Sequence, residues 1–494
     1  MIQLVTVFIR KIVSRKSTCF QIGQKRYGKF VLIKHVGCAS IPNQIEVLRV
    51  KAKQLLNQYK FKYQMAMFPD SPTFSSKAKL QHWRITGYHQ VFGVVYDSIG
   101  FPSTLLRDLV IGRIVCPKSK VAMIRYLNRY LGLNLTKDQV YRFMDTLDKE
   151  ALTRCAFDFV SKQHPTGITV CFYDVTTLYF ETETEDSLRS KGFSKDHRAD
   201  MPQILIGLFV DDKGYPFDFD FFEGKTFEGH TFPIAITKLR QKYALTQLTV
   251  VADAGMLSAD NLAFLDGRKI SYIVGARIKN LSNVVTVGML KHNYVQQPIY
   301  QTVVNNQRLI VEYSEKRAGK AEADRKRLVT KLQQKLIKKK LLIHKSKYVK
   351  VDGKQTIMGL DYQKIKADQK FDGLKGYFTN QNNLNSNLEI IEQYHNLWKV
   401  EKAFRMSKTD LRERPVYHQQ VARIQTHLLI CFVSLLVMKE AELKLAKIGY
   451  SIKQAIEMLA SVGQGNVRVG NMDLDTESDN DTETQSILNL FKGH

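Results

Sequence analysis

The sequence lacks several signatures that would name its chemistry directly. Its six cysteines, Cys19, Cys38, Cys116, Cys155, Cys171 and Cys431, form no Cys-x-x-Cys pair and no zinc-type spacing. Several lie in apolar surroundings, so all six are expected to be reduced thiols of a cytosolic protein. No Gly-x-x-x-x-Gly-Lys-Ser/Thr occurs, which argues against an ATPase. The longest apolar run, Leu428 to Met438, falls far short of the roughly 20 residues needed to cross a bilayer, so no membrane span is expected. The opening MIQLVTVFIRK has no charged stretch before its apolar residues and no small-residue cleavage site, so no signal peptide is expected. No internal repeat is visible. Acidic charge is also scarce: 74 Lys and Arg face 47 Asp and Glu, a net charge of +27.

That surplus points to a polyanionic partner, nucleic acid before lipid. It is understated by the tail. Residues 471–491 hold six acids and no Lys or Arg, so the rest of the chain is more basic still. With 44% apolar and 24% charged residues, the 494-residue chain has the composition of a globular protein with a large core, about three domains by length.

Residues 1–60 read as a basic β-element (TVFIRKIV, GKFVLIKHV) followed by a helix over 43–60. Pro69–Ser76 has linker composition. Within 61–165, residues 103–160 read as short helices. One ends at Gly132 and the next is capped by Thr136; the pair fits either a DNA-end-binding helix-turn-helix or a plain helical scaffold. From 166 to 270, ITVCFYDV, ILIGLFVD and LTVVADAG read as buried strands alternating with helices, the mark of an α/β sheet. Residues 271–385 read as a separate β-rich, basic piece. From Glu315 to Lys350 there are 14 Lys or Arg against three acids, around an apolar stripe of Leu328, Leu332 and Leu336, which favours a phosphate-facing helix over a merely solvated one. Residues 386–450 hold a long helix candidate over 388–412 and an apolar core helix over 416–445. The segment 451–494 is a polar tail expected to be disordered from about 464.

Three carboxylates carry the chemistry. Asp174 and Asp253 end apolar strands, at the sheet edge where α/β proteins place ligands. An acid there is costly unless it is paired or binds a metal. Glu401 lies in the helix candidate YHNLWKVEKAFRMSK. Carboxylate oxygens suit Mg²⁺ or Mn²⁺, and two such ions clamp both oxygens of a phosphodiester displacement. In one continuous α-helix, Glu401, Arg405 and Lys408 fall within about 40° of Tyr394. A carboxylate flanked by cations and a phenol fits a metal-bound phosphate; the plainer alternative is a Glu401–Arg405 ion pair.

On these motifs the chain resembles bacterial insertion-sequence transposases of the DDE class, in the branch with a Tyr–Arg–Glu–Lys signature. Tyr394, Glu401 and Lys408 match at the signature's spacing, while Leu397 stands at its Arg position. DVTTLYFE around Asp174, VADAGMLSADNL around Asp253, GFSKDHRAD followed by PQILIGLFVD, and ERPVYH are similar to the same branch. The resemblance covers about residues 100–440. It implies a ribonuclease-H-like α/β fold whose mixed sheet carries Asp174 and Asp253, with Glu401 supplied after a β-rich insertion in the 148-residue interval between Asp253 and Glu401. It implies cleavage of element ends and joining of the 3′-OH to target DNA with two Mg²⁺ ions (Mn²⁺ as a substitute) on Asp174, Asp253 and Glu401. It also implies double-stranded DNA as partner, a homodimer, and a cytoplasmic, nucleoid-associated protein. Tyr394 and Lys408 would contact phosphate, and Arg405 would compensate for Leu397. Trp398 would stack on a displaced base, although aromatics more often anchor a core. A nuclease that cuts without joining, and an inactive DNA-binding copy, are the alternatives.

Overall fold

The computed structural model describes residues 7–492, apart from 15, 27, 68–77, 183, 193–199, 257, 338–346, 352–356, 382–385, 415, 417 and 470–471. The expected linker Pro69–Ser76 and most of GFSKDHRAD therefore lie outside the described residues. By its contacts the chain divides into two units. The first stretch of chain in the first unit ends at residue 82.

The first unit comprises residues 1–82 and 465–476. Strands β1 (Val7–Val13), β2 (Thr18–Arg26) and β3 (Lys29–Ala39) form an antiparallel sheet. The helix Pro42–Met67 packs against it, as its apolar spacing predicts. Cys19 lies directly opposite Cys38 in the β2–β3 register, and the two form a disulfide, which corrects the expectation of six reduced thiols. The pairing is invisible in sequence spacing because it is set by strand register. The other four cysteines are free. The unit also holds most of a small sheet in the order β16-β15-β4, formed by β4 (Ala78–Ile85), β15 (Gly463–Val469) and β16 (Met472–Glu477). The tail is thus ordered where disorder is expected. Its acids are partly used, with Asp473 pairing Arg468 at 2.7 Å, and Asp481 caps a final helix, Thr482–Phe491, that buries Ile487, Leu488 and Phe491.

The second unit is built on one eight-stranded mixed sheet in the order β10-β11-β14-β9-β8-β5-β6-β7. Strands β5 (Val170–Tyr179), β6 (Gln203–Asp211) and β7 (Pro216–Glu223) are antiparallel neighbours. Strand β8 (Thr249–Ala252) runs parallel to β5, and β9 (Ser271–Ala276) parallel to β8. These five strands form the mixed core sheet that the resemblance implies. Its central strands are apolar on both sides because helices cover both faces. Tyr173 donates or accepts a 3.0 Å bond with Thr231 of the helix Glu228–Tyr243 on one face. Phe219 stacks on Phe432 of the helix Val421–Ala446 on the other. That helix is long and apolar enough to span a membrane, yet it is largely buried in the core.

The segment 271–385 is not a separate β-rich piece. Strands β10 (Ile299–Val304), β11 (Gln307–Tyr313) and β14 (Leu374–Thr379) extend the central sheet beyond β9, all antiparallel. Strands β12 (Val349–Val351) and β13 (Ile357–Leu360) form a separate two-stranded ribbon. The basic helix Glu315–Ile337 packs on that ribbon through Leu328, Leu332 and Leu336, around Tyr348. Helices over 94–162 form the expected helical region, with Ser119 and Thr136 as caps; Thr136 and Gln139 close a capping box.

Candidate active site

The site forms where β5 and β8 part. Their parallel pairing ends at Tyr173↔Ala252, so Asp174 is the next residue on β5 and Asp253 the first residue beyond β8. Strand β5 itself continues to Tyr179, so Asp174 is internal to it and not terminal, as the apolar run suggests. Side-chain alternation turns Asp174 away from the Tyr173 face, toward the face bearing the helix Trp398–Arg405, which packs on β5 and β6. Asp174 is half-buried and accepts a 2.8 Å bond from the Val175 N–H. Asp253 is exposed and heads the short turn Ala254–Met256 before a helix capped by Ser258.

The expected long helix over 388–412 is broken. Asn387–His395, opened by a Ser386–Glu389 capping box, is one helix. Trp398–Arg405 is a second, and Met406–Asp410 winds more loosely with π-type bonding. The single-face projection from Tyr394 to Lys408 therefore fails, because each change of winding rotates the residues beyond it. Contact between side chains takes its place. Tyr394 is buried and its hydroxyl donates to Asp253 Oδ1 at 3.0 Å. It reaches there only because position 275 is glycine: a Cβ at Gly275 would lie 2.5 Å from the Tyr394 hydroxyl. Burial, then the Asp253 charge, pushes the Tyr394 hydroxyl far above its usual range, so it stays a donor.

Glu401 is exposed. Its charge and that of Asp253 both act on Tyr394 and on Lys375. The Glu401–Arg405 ion pair does not form; among the described residues neither enters a salt bridge. Lys375, from β14, is half-buried with its ammonium 5.1 Å above the Tyr394 ring. Burial lowers its pKa, while the Asp253, Glu312 and Glu401 carboxylates oppose that shift. Behind it, Glu312 accepts from His395 at 2.8 Å and from the Tyr377 hydroxyl. Tyr377 in turn packs on Tyr394, with ring centroids 4.6 Å apart. Sequence reasoning misses Lys375 and Glu312. They sit on strands of 271–385 whose place in the central sheet no local motif discloses.

The remaining candidates lie elsewhere. Leu397 is buried. Arg405 is exposed and acts on Asp410, whose carboxyl is raised by burial and lowered by the guanidinium. Lys408 is half-buried and acts on the buried Glu413. Trp398 is 50% exposed, which overturns the core-anchor alternative, and stands beside the β6–β7 turn at Gly214 and Pro216.

Asp174, Asp253 and Glu401 do not gather ligand atoms within 4.8 Å of one another; among the described residues the trio that does is His164, Asp211 and Asp212. That trio sits at the other end of β5, where Asp211 pairs with Cys171. Its buried member, Asp211, is already engaged. Asp211 accepts from His164 at 2.7 Å and from the N–H groups of Lys213 and Tyr215 at 3.1 and 2.6 Å. The set Asp174, Asp253 and Glu401 is all carboxylate, a donor set that fits hard divalent cations.

Residues 165–437, more than half of the chain, match the family model of the transposase DDE domain. The chain belongs to the DDE transposase family. It is accordingly a metal-dependent enzyme of the class that cuts and joins DNA. The transposase is similar in structure to the piggyBac transposase synaptic complex with hairpin DNA, at 9% identity, a TM-score of 0.37 and 76% coverage of each chain. It is also similar to the Mos1 transposase paired-end complex with the left transposon end, at 10% identity and a TM-score of 0.16, over 31% of this chain and 48% of that one. Likeness at these scores adds nothing to the family match. No curated protein matches the transposase.

Proposed function

We propose that Asp174, Asp253 and Glu401 are the metal-binding carboxylates of this transposase, and that it cleaves the ends of its own element and joins the freed 3′-OH to target DNA. The observation that carries the reading is the Tyr394–Asp253 hydrogen bond, made under the shared charge of Glu401. It links a strand-end carboxylate to the helix pair that comes after the 148-residue interval.

Two Mg²⁺ ions, or Mn²⁺ in their place, would supply an activated oxygen nucleophile and charge neutralisation at the phosphate. The chain's own residues do the rest. Tyr394 holds the Asp253 carboxylate in one orientation, and the Tyr377–Glu312–His395 cluster holds Tyr394. Lys375 places a cation beside the carboxylates, where it offsets their mutual repulsion before substrate arrives and meets phosphate oxygens afterwards. Arg405 and Lys408 extend positive charge along the DNA path, and exposed Trp398 offers a stacking surface for a base. Tyr394 acts as a positioning residue in this reading, since its hydroxyl is committed to Asp253. The partner is double-stranded DNA, both element end and target. The working form is a homodimer on paired ends, in a cytoplasmic, nucleoid-associated setting.

The test is incubation of the transposase with Mg²⁺ or Mn²⁺ and a labelled duplex carrying its flanking end sequence, beside Glu401→Gln. Metal-dependent 3′-end cleavage and joining, lost in the variant, is the expected result. Cleavage that persists in Glu401→Gln would remove Glu401 from the site, and cutting without joining would reassign the enzyme as a nuclease.

A further inference from the structure

A second charged site lies outside the carboxylate cluster. A cleft of about 460 Å³ opens between the start of the helix Lys120–Tyr130 and the segment just beyond Met406–Asp410. Arg113, Lys118, Lys120, Arg412 and Arg414 line it, and among the described residues no Asp or Glu does.

Lys120 is the informative side chain. It is 3% exposed, and its Nζ has no hydrogen-bond partner. Burying an ammonium without a partner is costly unless the group sheds its proton or meets an anion. Burial and the neighbouring Arg113 charge depress the Lys120 pKa strongly, against a lesser opposing effect of Cys431. Arg113 is 2% exposed and its Nε is likewise without a partner. One of its remaining nitrogens donates to the Leu411 carbonyl at 3.4 Å and another to His427 Nδ1 at 3.4 Å. His427 Nε2 lies 3.2 Å from the Glu413 carbonyl, which fixes the ring as a neutral acceptor for Arg113. Glu413, close by, is buried against the Ser407 hydroxyl at 2.7 Å and has its carboxyl raised by burial, so it is a weak counter-charge.

The backbone adds to this field. Lys120 opens an eleven-residue helix capped by Ser119, so the positive end of the helix dipole faces the same cleft. Across from it, Arg412 adopts a left-handed φ of 44° and is exposed at the rim. Leu411 and Glu413 on either side are tied back to Met406 and Ser407 by backbone bonds of 3.0 and 3.1 Å. The arginine-bearing turn is therefore held in place and is not a loose loop. It includes Glu413, Arg414 and His418 of the ERPVYH motif, which the carboxylate site leaves without a role.

We infer that this cleft is a phosphate-binding site, in which Lys120 and Arg113 at the base and Arg412 and Arg414 at the rim hold one phosphate group of a DNA strand. The inference rests on DNA being the partner but not on the assignment of the metal ligands. Its test therefore uses binding without metal.

The experiment compares the full-length wild type with Lys120→Met and Arg412→Gln. Binding to a labelled duplex is followed across salt concentrations in EDTA. Each variant is expected to weaken binding about tenfold and to lower the slope of log K against log salt by about 0.9, one phosphate contact. Inorganic phosphate is expected to raise the wild-type melting temperature by about 1–3 °C over chloride at equal ionic strength, by mass action, and not that of Lys120→Met. Equal losses on 5′-hydroxyl and 5′-phosphoryl duplexes assign the bound group to the strand interior. A loss confined to the 5′-phosphoryl duplex assigns it to a strand end. Unchanged slopes in both variants, with no specific effect of phosphate on the wild type, overturn the site. Should Lys120→Met fail to fold, Arg412→Gln, which is exposed, decides alone. A failure of Glu401→Gln to alter cleavage would leave these readings untouched.

Discussion

Two groups of acids flank strand β5, and they differ in what has already claimed their oxygens. At its amino end, His164, Asp211 and Asp212 stand close enough to enclose an ion. Asp211 is fully buried there and accepts from His164 and two backbone N–H groups. Burial raises its carboxyl above the ordinary range, against the pull of those bonds. Further along, Asp174 is half-buried and Asp253 is exposed, and a phenol steadies Asp253. The lesson is that proximity of ligand-type residues does not define a metal site. A carboxylate whose lone pairs are taken by backbone donors closes a turn, whereas one oriented through a single bond and left facing solvent can still bind a cation.

This contrast can be broken most sharply at the open cluster. Asp253→Asn or Glu401→Gln is expected to lower metal-dependent cleavage by about a thousandfold or more, the equivalent of roughly 4 kcal/mol of transition-state stabilisation. The melting temperature should stay nearly constant, because both side chains are exposed; single-turnover cleavage and a thermal melt on the same samples check this. Next in size is Tyr394→Phe. It keeps the buried ring but removes the donor to Asp253, and a loss of about 10- to 100-fold in metal affinity or cleavage is expected. Wild-type activity in that variant would mean that Asp253 needs no orientation.

The closed cluster should respond in the opposite sense. His164→Ala is expected to cost about 1–3 kcal/mol of stability, by leaving the buried Asp211 short of a partner, while cleavage per folded molecule is unchanged. Asp211→Asn adds a pH signature. A raised folded pKa contributes stability that is present below the ordinary Asp range and lost as pH rises through the folded value. The wild type should therefore lose ground to Asp211→Asn as pH rises above about 4. A metal-dependent loss of cleavage in either variant would make the two clusters equivalent. The smallest effect lies outside both: titration of thiols in the unfolded, unreduced chain should find four reactive cysteines, rising to six after reduction.

Much of the core is legible in the sequence because it is written in local pattern. Apolar β-branched runs mark β5, β6 and β8, and acids at the ends of such runs flag Asp174 and Asp253 as costly unless used. Spacing from Tyr394 finds Glu401, yet the helical-wheel argument for that spacing assumes one uninterrupted helix. The break at Asn396–Leu397 and the looser winding after Arg405 are tertiary adjustments that carry no local signal. The tail misleads because its acids outweigh the short apolar set Ile487, Leu488 and Phe491 in composition, although that set is enough to dock one helix.

The sequence by itself determined the strands of the core, their helical cover, the basic character that suits DNA, and the identity of three carboxylates at separations matching a known family. Those are properties of periodicity, charge and order along the chain. Only the tertiary structure decided that β10, β11 and β14 complete the central sheet and bring Lys375 and Glu312 behind Tyr394. It alone opposed Cys19 to Cys38, and it alone buried Lys120 and Arg113 with the Lys120 Nζ and the Arg113 Nε lacking hydrogen-bond partners. Each depends on strand register or on packing between residues far apart in the chain, and the free energy of such contacts belongs to the pair and not to either local segment.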